Sequence, residues 1–193
     1  MMGVGKSTLG KIVAKKQGLK FVDTDFNIEK KFSMKISEIF KKKGEEFFRL
    51  HEEEEVLESL KENECVIALG GGAFMNKTVR DEILKDSVSI WLDLNLKTLN
   101  KRTKWNIKRP LLDGKDNQKK INKLYARRKN IYKLSKYKIN CNNLNKENIA
   151  KKITKSIILF KCDKLIITDF LLNSFCWCWK IYSIKQKYSY KEN

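Results

Sequence analysis

The chain has 193 residues, of which 41% are hydrophobic and 34% charged, which suits one α/β domain with a buried core and room for an appended tail. Lysine and arginine number 42 against 23 aspartates and glutamates, which gives a net charge of +19. The five cysteines are odd in number and contain no C-x-x-C pair, which argues against a disulfide framework and against a zinc site.

A charge this basic raises nucleic-acid binding as a possible function. However, many lysines adjoin glutamates in helix-like stretches, as at 29–31, and the sequence contains no aromatic-interleaved RNA motif and no zinc-finger spacing. We therefore predict small anionic substrates and no nucleic-acid partner, and keep a basic nucleic-acid-binding module as the alternative outside enzymes.

The location is predicted from apolar segments. No apolar leader follows Met1, and the most apolar late stretch, 165–182, is interrupted by Asp169 and Lys180. A membrane span needs about 20 predominantly apolar residues. We expect a cytoplasmic protein with reduced thiols and no membrane contact.

Hydrophobic periodicity predicts short strands that alternate with helices. In chain order, the predicted elements are a helix ending near Gly18, a strand at 19–22, helices at 27–32 and from Ser37, a long helix at 45–61 after a break at Gly44, a strand at 65–69, a helix at 78–85, a strand at 87–92, a helix at 96–102, a mobile loop at 103–118, a helix at 119–134, a strand at 138–141 and a helix at 146–160. This alternation predicts a three-layer α/β/α fold around a parallel sheet.

The first motif is a phosphate cradle at residues 3–8, with the sequence Gly-Val-Gly-Lys-Ser-Thr. Glycines let backbone N–H groups turn toward a phosphate, and the helix N-terminus adds partial positive charge. In such a P-loop, Lys6 would reach the β- and γ-phosphates of ATP, and Ser7 would offer its hydroxyl to Mg²⁺.

The cradle is the C-terminal half of the P-loop motif. Its first glycine would fall one residue before Met1, and the strand that feeds such a loop is missing, so the first strand of the sheet is expected to be truncated. We expect either a natural start upstream of Met1, which we favour, or a damaged and inactive copy.

Two carboxylates, Asp23 and Asp25, follow the strand at 19–22. Period-two geometry would place both on one side of the chain, at the sheet edge where α/β folds bind ligands. One of them can hold water on Mg²⁺ while the other accepts a proton from a substrate hydroxyl, although aspartates after a strand are also common turn formers.

The next candidates are an arginine and a glycine triplet. Arg49 and Glu52 stand three residues apart on a predicted helix, so the carboxylate can fix the guanidinium for a substrate carboxylate. The triplet at 70–72 follows an apolar strand, and glycines make sense there because the backbone can approach a ligand closely.

The ordered set of motifs resembles the shikimate kinase family over about the first 155 residues. The segments that carry the resemblance are 3–8, 23–25, 39–40, 44–52, 69–72, 109–112 and 128–132. The resemblance implies a P-loop NTPase of the nucleoside-monophosphate-kinase-like class, which transfers the γ-phosphoryl group of ATP to the 3-hydroxyl of shikimate with Mg²⁺ present, and we expect a monomer.

The resemblance also implies roles for individual residues. The shikimate-binding residues would be Asp25, Arg49, Gly71 and Arg128, with both arginines on the carboxylate and Asp25 at the ring hydroxyls. The ATP-binding residues would be Gly3, Val4, Gly5, Lys6, Ser7, Thr8, Arg102 and Arg109. Lys6, Asp25 and Arg109 would be catalytic, Arg109 would belong to the lid, Asp23 would lie near Mg²⁺ through water, and Phe40 and Phe48 would wall the substrate pocket.

Two regions depart from the family pattern. Asn145 stands roughly where some members place an arginine or proline under the adenine. Residues 161–193 hold three of the five cysteines and lack a periodic core pattern after Leu172, so we predict a kinase-like domain at 1–160, with a lid at about 103–118, and a poorly ordered tail at 161–193. A related small-molecule kinase, such as one acting on gluconate, stays open as an alternative.

Overall fold

The computed structural model describes residues 1, 3–103 and 117–170. Four short strands alternate with seven helices in this part of the chain. The elements in chain order are α1 (Lys6–Gln17), β1 (Lys20–Asp23), α2 (Thr24–Phe32), α3 (Ile36–Leu60), β2 (Cys65–Ala68), a short 3-10 turn (Ala73–Met75), α4 (Lys77–Asp86), β3 (Ile90–Asp93), α5 (Leu96–Thr103), α6 (Asn117–Tyr132), β4 (Tyr137–Asn140) and α7 (Lys146–Phe170).

The strands pair in parallel, as the alternation of elements predicts. β1 pairs with β2 from Lys20↔Cys65 to Asp23↔Ala68, and β3 pairs with β4 from Ile90↔Tyr137 to Asp93↔Asn140. Within the described residues these are two separate two-stranded sheets. In each pair the carboxyl ends meet at the same edge, which is where ligands bind in open α/β sheets.

Helix ends fall where local chemistry places them. α1 ends at Gly18, whose φ of 66° is the left-handed conformation that glycine adopts without strain. Gly44, with φ 89° and ψ 170°, is non-helical inside α3, so the predicted break at this residue is confirmed as a kink rather than a gap. Asn145 accepts a hydrogen bond of 2.8 Å from the Asn148 N–H and caps α7.

The core joins the helices to the strands. The fully buried aliphatic side chains include Val13, Ile28, Ile39, Val56, Val79, Leu94 and Leu99. Ile28, Ile39 and Phe48 form one cluster that locks α2 onto the two halves of α3. Because α2 and α3 are packed together, side chains at their ends are held in fixed positions beside the sheet edge.

The chain divides into two compact units, residues 1–153 and residues from 154 onward. The first unit contains every described strand and the cleft described below. In the second, α7 continues past the predicted end at Phe160 to Phe170. Among the described residues, no helix combines the length and the apolar character that crossing a bilayer requires.

Candidate active site

A cleft of about 570 Å³ opens at the carboxyl edge of β1 and β2. Segments that are far apart in the sequence contribute to its wall. The lining residues are Gly3, Gly5, Lys6, Ser7, Thr8, Asp23, Asp25, Phe26, Glu29, Ile36, Phe40, Phe48, Arg49, Glu52, Leu69, Gly71, Gly72, Arg102 and Arg128. The cleft therefore brings together the phosphate cradle, the paired aspartates, the arginines and the glycine triplet.

The cradle has the backbone geometry of a phosphate-binding turn. Gly3 and Gly5 have φ values of 76° and 93°, which side chains rarely tolerate, and α1 begins directly after them at Lys6. The N-terminal N–H groups of α1 thus face the cleft with Ser7 and Thr8 exposed beside them. Lys6 Nζ donates to the Met1 carbonyl at 3.1 Å.

Val4 differs from its neighbours in the cradle. Its side chain is only 3% exposed and belongs to the core, and Val4 is absent from the cleft lining. Any contact of this residue with a nucleotide must therefore come from its backbone.

The two aspartates both line the cleft, but not through strand alternation. β1 ends at Asp23, and Asp25 lies in the first turn of α2, so the prediction that period-two geometry aligns them is wrong. Asp23 Oδ1 instead accepts the Phe26 N–H at 3.3 Å and caps α2. The helix start turns Asp25 back toward the same cleft.

Thr24, between the aspartates, fixes the start of α2 to the glycine triplet. The residue is fully buried, and its hydroxyl donates to the Ala68 carbonyl at 3.3 Å and accepts the Gly70 N–H at 3.2 Å. These bonds hold the end of β1 against the end of β2, so Asp25 faces the triplet.

Arg49 and Glu52 form the ion pair that their spacing predicts. Glu52, 3% exposed, accepts from Arg49 Nη1, and Arg49 also donates to Glu45 Oε1 at 3.0 and 3.2 Å. Burial raises the pKa of Glu52, although the Arg49 charge opposes this. Burial also works to lower the pKa of Arg49, but Glu52 and Glu45 outweigh it and raise that pKa, which keeps the guanidinium charged.

Arg128 approaches the same carboxylate from α6. It is 5% exposed, lines the cleft, and its positive charge acts to lower the pKa of Glu52. Two buried or half-buried arginines therefore share one buried carboxylate, Glu52. Arg49 also pairs with Glu45, and Asp25 lies close enough to act on Glu52, so the two arginines lie among three carboxylates, and what they offer an anionic ligand is guanidinium donors.

Two glycines of the triplet lie close to the ends of charged side chains in the cleft. A Cβ on Gly70 would lie 2.6 Å from Asp25 Oδ1, and one on Gly72 would lie 2.8 Å from Arg49 Cζ. Neither residue has a positive φ, so the constraint is space and not backbone conformation. The triplet lets the aspartate and the arginine converge on one small volume.

Aromatic rings form the apolar wall. Phe40 and Phe48 both line the cleft with ring centroids 4.8 Å apart, and Arg49 Cζ lies 5.2 Å from the Phe48 centroid. Phe26, 62% exposed, lines the cleft beside Asp25. The ring of His51 packs between those of Phe32 and Phe47, with centroid distances of 4.8 and 4.5 Å.

The arginines predicted on the ATP side differ in whether the structure describes them. Arg102 lines the cleft. Arg109 and nearly all of the predicted lid fall outside the described residues. Sequence reasoning gave no role to Glu29 or Ile36, which line the cleft, or to Tyr132, whose hydroxyl reaches the triplet. The one available signal was spacing, because Tyr132 follows Arg128 by four residues on the same helix face.

A glycine cradle at a helix start, carboxylates at the sheet edge and a parallel α/β architecture define a P-loop phosphotransferase. The family model described as "Shikimate kinase" matches residues 2–158. The shikimate kinase of Sulfurihydrogenibium is 39% identical over 156 residues, with 81% of this chain and 93% of the relative covered, and that of Bacillus subtilis is 37% identical over 158 residues, with 81% and 84% covered.

Solved structures agree. The shikimate kinase from Acinetobacter baumannii in complex with shikimate superposes with a TM-score of 0.79 at 31% identity, covering 83% of this chain and 90% of that one. The shikimate kinase from Aquifex aeolicus gives 0.72 at 28% identity, with 81% and 92% covered. The chain belongs to the shikimate kinase family.

Proposed function

We propose that this enzyme transfers the γ-phosphoryl group of ATP to the 3-hydroxyl of shikimate, giving shikimate 3-phosphate for chorismate and aromatic amino-acid biosynthesis. The observation that carries the proposal is one cleft that holds a phosphate cradle together with two arginines, Arg49 and Arg128, beside the buried carboxylate of Glu52. Membership of the family supplies the substrate.

The acceptor end of the cleft suits a small carboxylate with ring hydroxyls. Arg49 and Arg128 would bind the carboxylate, since both lie beside Glu52, and a guanidinium can donate two parallel hydrogen bonds to such a group. Phe40 and Phe48 would pack against the ring. Asp25, adjacent to Gly70, and the Gly71 backbone would orient the hydroxyls.

The donor end suits the phosphates of ATP. Backbone N–H groups of residues 3–8 would hold the phosphates, Lys6 would neutralise charge that spreads over the transferring group, and Arg102 would contact the adenine side. From the resemblance, Arg109 would add charge from a lid over 103–118. Asp25 would orient the attacking hydroxyl and accept its proton.

The donor set fits Mg²⁺ held jointly with ATP. Among the described residues, no group of three or more His, Cys, Asp or Glu is placed to hold a metal by itself. Mg²⁺ keeps several waters and binds through one or two protein oxygens plus substrate phosphates, and the Ser7 hydroxyl and Asp23, through water, would supply that contribution. When bound, Mg²⁺ neutralises phosphate charge.

Further properties are proposed on the same basis. The partners would be the small molecules ATP and shikimate, with no nucleic acid or membrane, and the enzyme would be a cytoplasmic monomer. Residues 1–160 would form the catalytic domain, and 161–193 would be a tail outside it.

The proposal is tested by ADP release from Mg-ATP with shikimate, with gluconate, or with no acceptor. We expect release above background with shikimate alone, because the arginine pair and the glycine triplet select a cyclic carboxylate. Release that depends on gluconate but not on shikimate would contradict the proposal.

Lys6→Ala provides the matched test of the cradle. Loss of a cation at the transferring phosphates should lower kcat by about 100-fold or more. Lys15→Ala removes an exposed lysine from the last turn of the same helix and should retain wild-type turnover. Wild-type turnover in both variants would show that Lys6 takes no part in phosphoryl transfer.

A further inference from the structure

Tyr132 joins two walls of the cleft. It is the last residue of α6 and is 6% exposed, and its hydroxyl donates to the Gly71 carbonyl at 2.6 Å. The phenol also interacts with Arg128 on the preceding turn by charge and hydrogen bonding. One hydroxyl thus contacts a residue of the glycine triplet and an arginine of the acceptor site.

The ring of Tyr132 is fixed independently of its hydroxyl. Its centroid lies 6.1 Å from that of Trp91 and 6.4 Å from that of Phe74, within the range of aromatic packing. Burial raises the pKa of Tyr132 even though Arg128 opposes this, so the phenol keeps its proton at neutral pH and remains a donor to the Gly71 carbonyl.

We propose that Tyr132 is a positioning residue for the acceptor carboxylate. Its hydroxyl holds Arg128 of α6 and the Gly71 peptide, which follows β2, in fixed positions relative to each other. The inference rests on the proposed function. Tyr132 and Gly71 are 61 residues apart in the sequence. The helix that carries Tyr132, α6, follows the segment in which the lid is predicted. The Tyr132 hydroxyl joins the Gly71 carbonyl to α6 by a direct hydrogen bond.

The hydroxyl contacts Gly71 and Arg128, both of which are proposed to bind the acceptor. Its loss should therefore weaken acceptor binding and spare both ATP binding and the phosphoryl step. A hydroxyl with a purely structural role would change stability without changing the preference for a charged acceptor.

Tyr132→Phe removes the hydroxyl and keeps the ring. We expect the KM for shikimate to rise about tenfold, with kcat and the KM for ATP within about twofold of wild type. We also expect weaker discrimination between shikimate and its neutral carboxamide, since the arginine that reads the charge is less well placed.

Tyr125→Phe is the matched control. Tyr125 lies on the same helix, and its hydroxyl donates to Asp93 Oδ1 at 3.0 Å, whereas the Tyr132 hydroxyl donates to Gly71, which lines the cleft as Asp93 does not. Its kinetic constants should stay at wild-type values. Thermal midpoints of both variants show whether each is folded under the assay conditions.

The outcomes separate the two proposals. If wild type uses shikimate but Tyr132→Phe matches Tyr125→Phe in KM and in carboxamide discrimination, the positioning role is overturned. A fall in kcat or ATP affinity with unchanged shikimate KM overturns it as well. If wild type does not use shikimate at all, the proposed function fails, and this inference fails with it.

Discussion

Two consecutive arginines on α6 differ completely in environment. Arg128 is 5% exposed and lines the cleft, whereas Arg127 is exposed. Arg128→Ala removes a proposed charge-assisted partner of the acceptor and should raise the KM for shikimate about 10- to 100-fold, while Arg127→Ala should leave it unchanged. Similar effects in steady-state kinetics of the two variants would place the acceptor elsewhere.

Cysteine reactivity provides a second test at the residue scale. Burial, helped by the Asp93 charge, raises the pKa of Cys141 to about 11, and the residue is 2% exposed. The reactive thiolate becomes abundant only as the pH approaches the pKa, so at pH 8 iodoacetamide should modify Cys141 in the folded enzyme much more slowly than the partly exposed Cys65.

Peptide mapping by mass spectrometry measures both rates. In urea the two cysteines should react at similar rates, which is the control for local sequence. Equal rates in the folded enzyme would contradict the buried position of Cys141 in the structure.

Contacts between single residues can be predicted from the sequence where the two residues are close together in the chain. The Arg49–Glu52 pair follows from i,i+3 spacing on a helix, and the ion pair is present. The burial of Glu52 could not be predicted from this spacing, because it depends on α6 and the triplet, which come from distant parts of the chain. The bond from Tyr132 to Gly71 is equally non-local.

At the scale of elements, Asp23 has two roles that a pair of substitutions separates. As a cap, it is replaceable by asparagine, so Asp23→Asn should keep the free energy of unfolding near that of wild type, whereas Asp23→Ala should lose about 1 kcal/mol. As a proposed partner of Mg²⁺-bound water, its charge is needed, so both variants should require about tenfold more Mg²⁺ for half-maximal rate.

Urea unfolding and Mg²⁺ titration of the rate measure the two roles separately. An Asp23→Asn enzyme with wild-type Mg²⁺ dependence would show that the residue acts as a cap alone.

The boundary between β1 and α2 shows what element prediction misses. Most strand and helix bounds were predicted to within a few residues, since apolar periodicity and glycine positions are local signals, but α7 ends at Phe170 and not at Phe160. The helix that was predicted from Asn27 begins at Thr24, because a strand that ends in Asp-Thr-Asp continues equally well as strand or helix in sequence terms. The buried Thr24 hydroxyl, bonded to Ala68 and Gly70, decides in favour of the helix.

At the scale of the whole molecule, composition and charge were the weakest guides. A net charge of +19 permits nucleic-acid binding, yet the candidate site combines arginines with a buried carboxylate and a helix-capping carboxylate in one cleft. The order of motifs along the chain was the stronger signal, because a parallel α/β fold brings the ends of successive strands to one edge. The pairing of strands into two described sheets depends on long-range contacts and was not predicted.

The most direct test of the account is the identity of the product. After incubation of the enzyme with Mg-ATP and shikimate, phosphorus–proton correlation NMR of the reaction mixture locates any new phosphate ester. We expect one ester, with its phosphorus coupled to the proton on carbon 3 of shikimate. Free phosphate without an ester, or an ester at another hydroxyl, would contradict the assignment of acceptor and orientation.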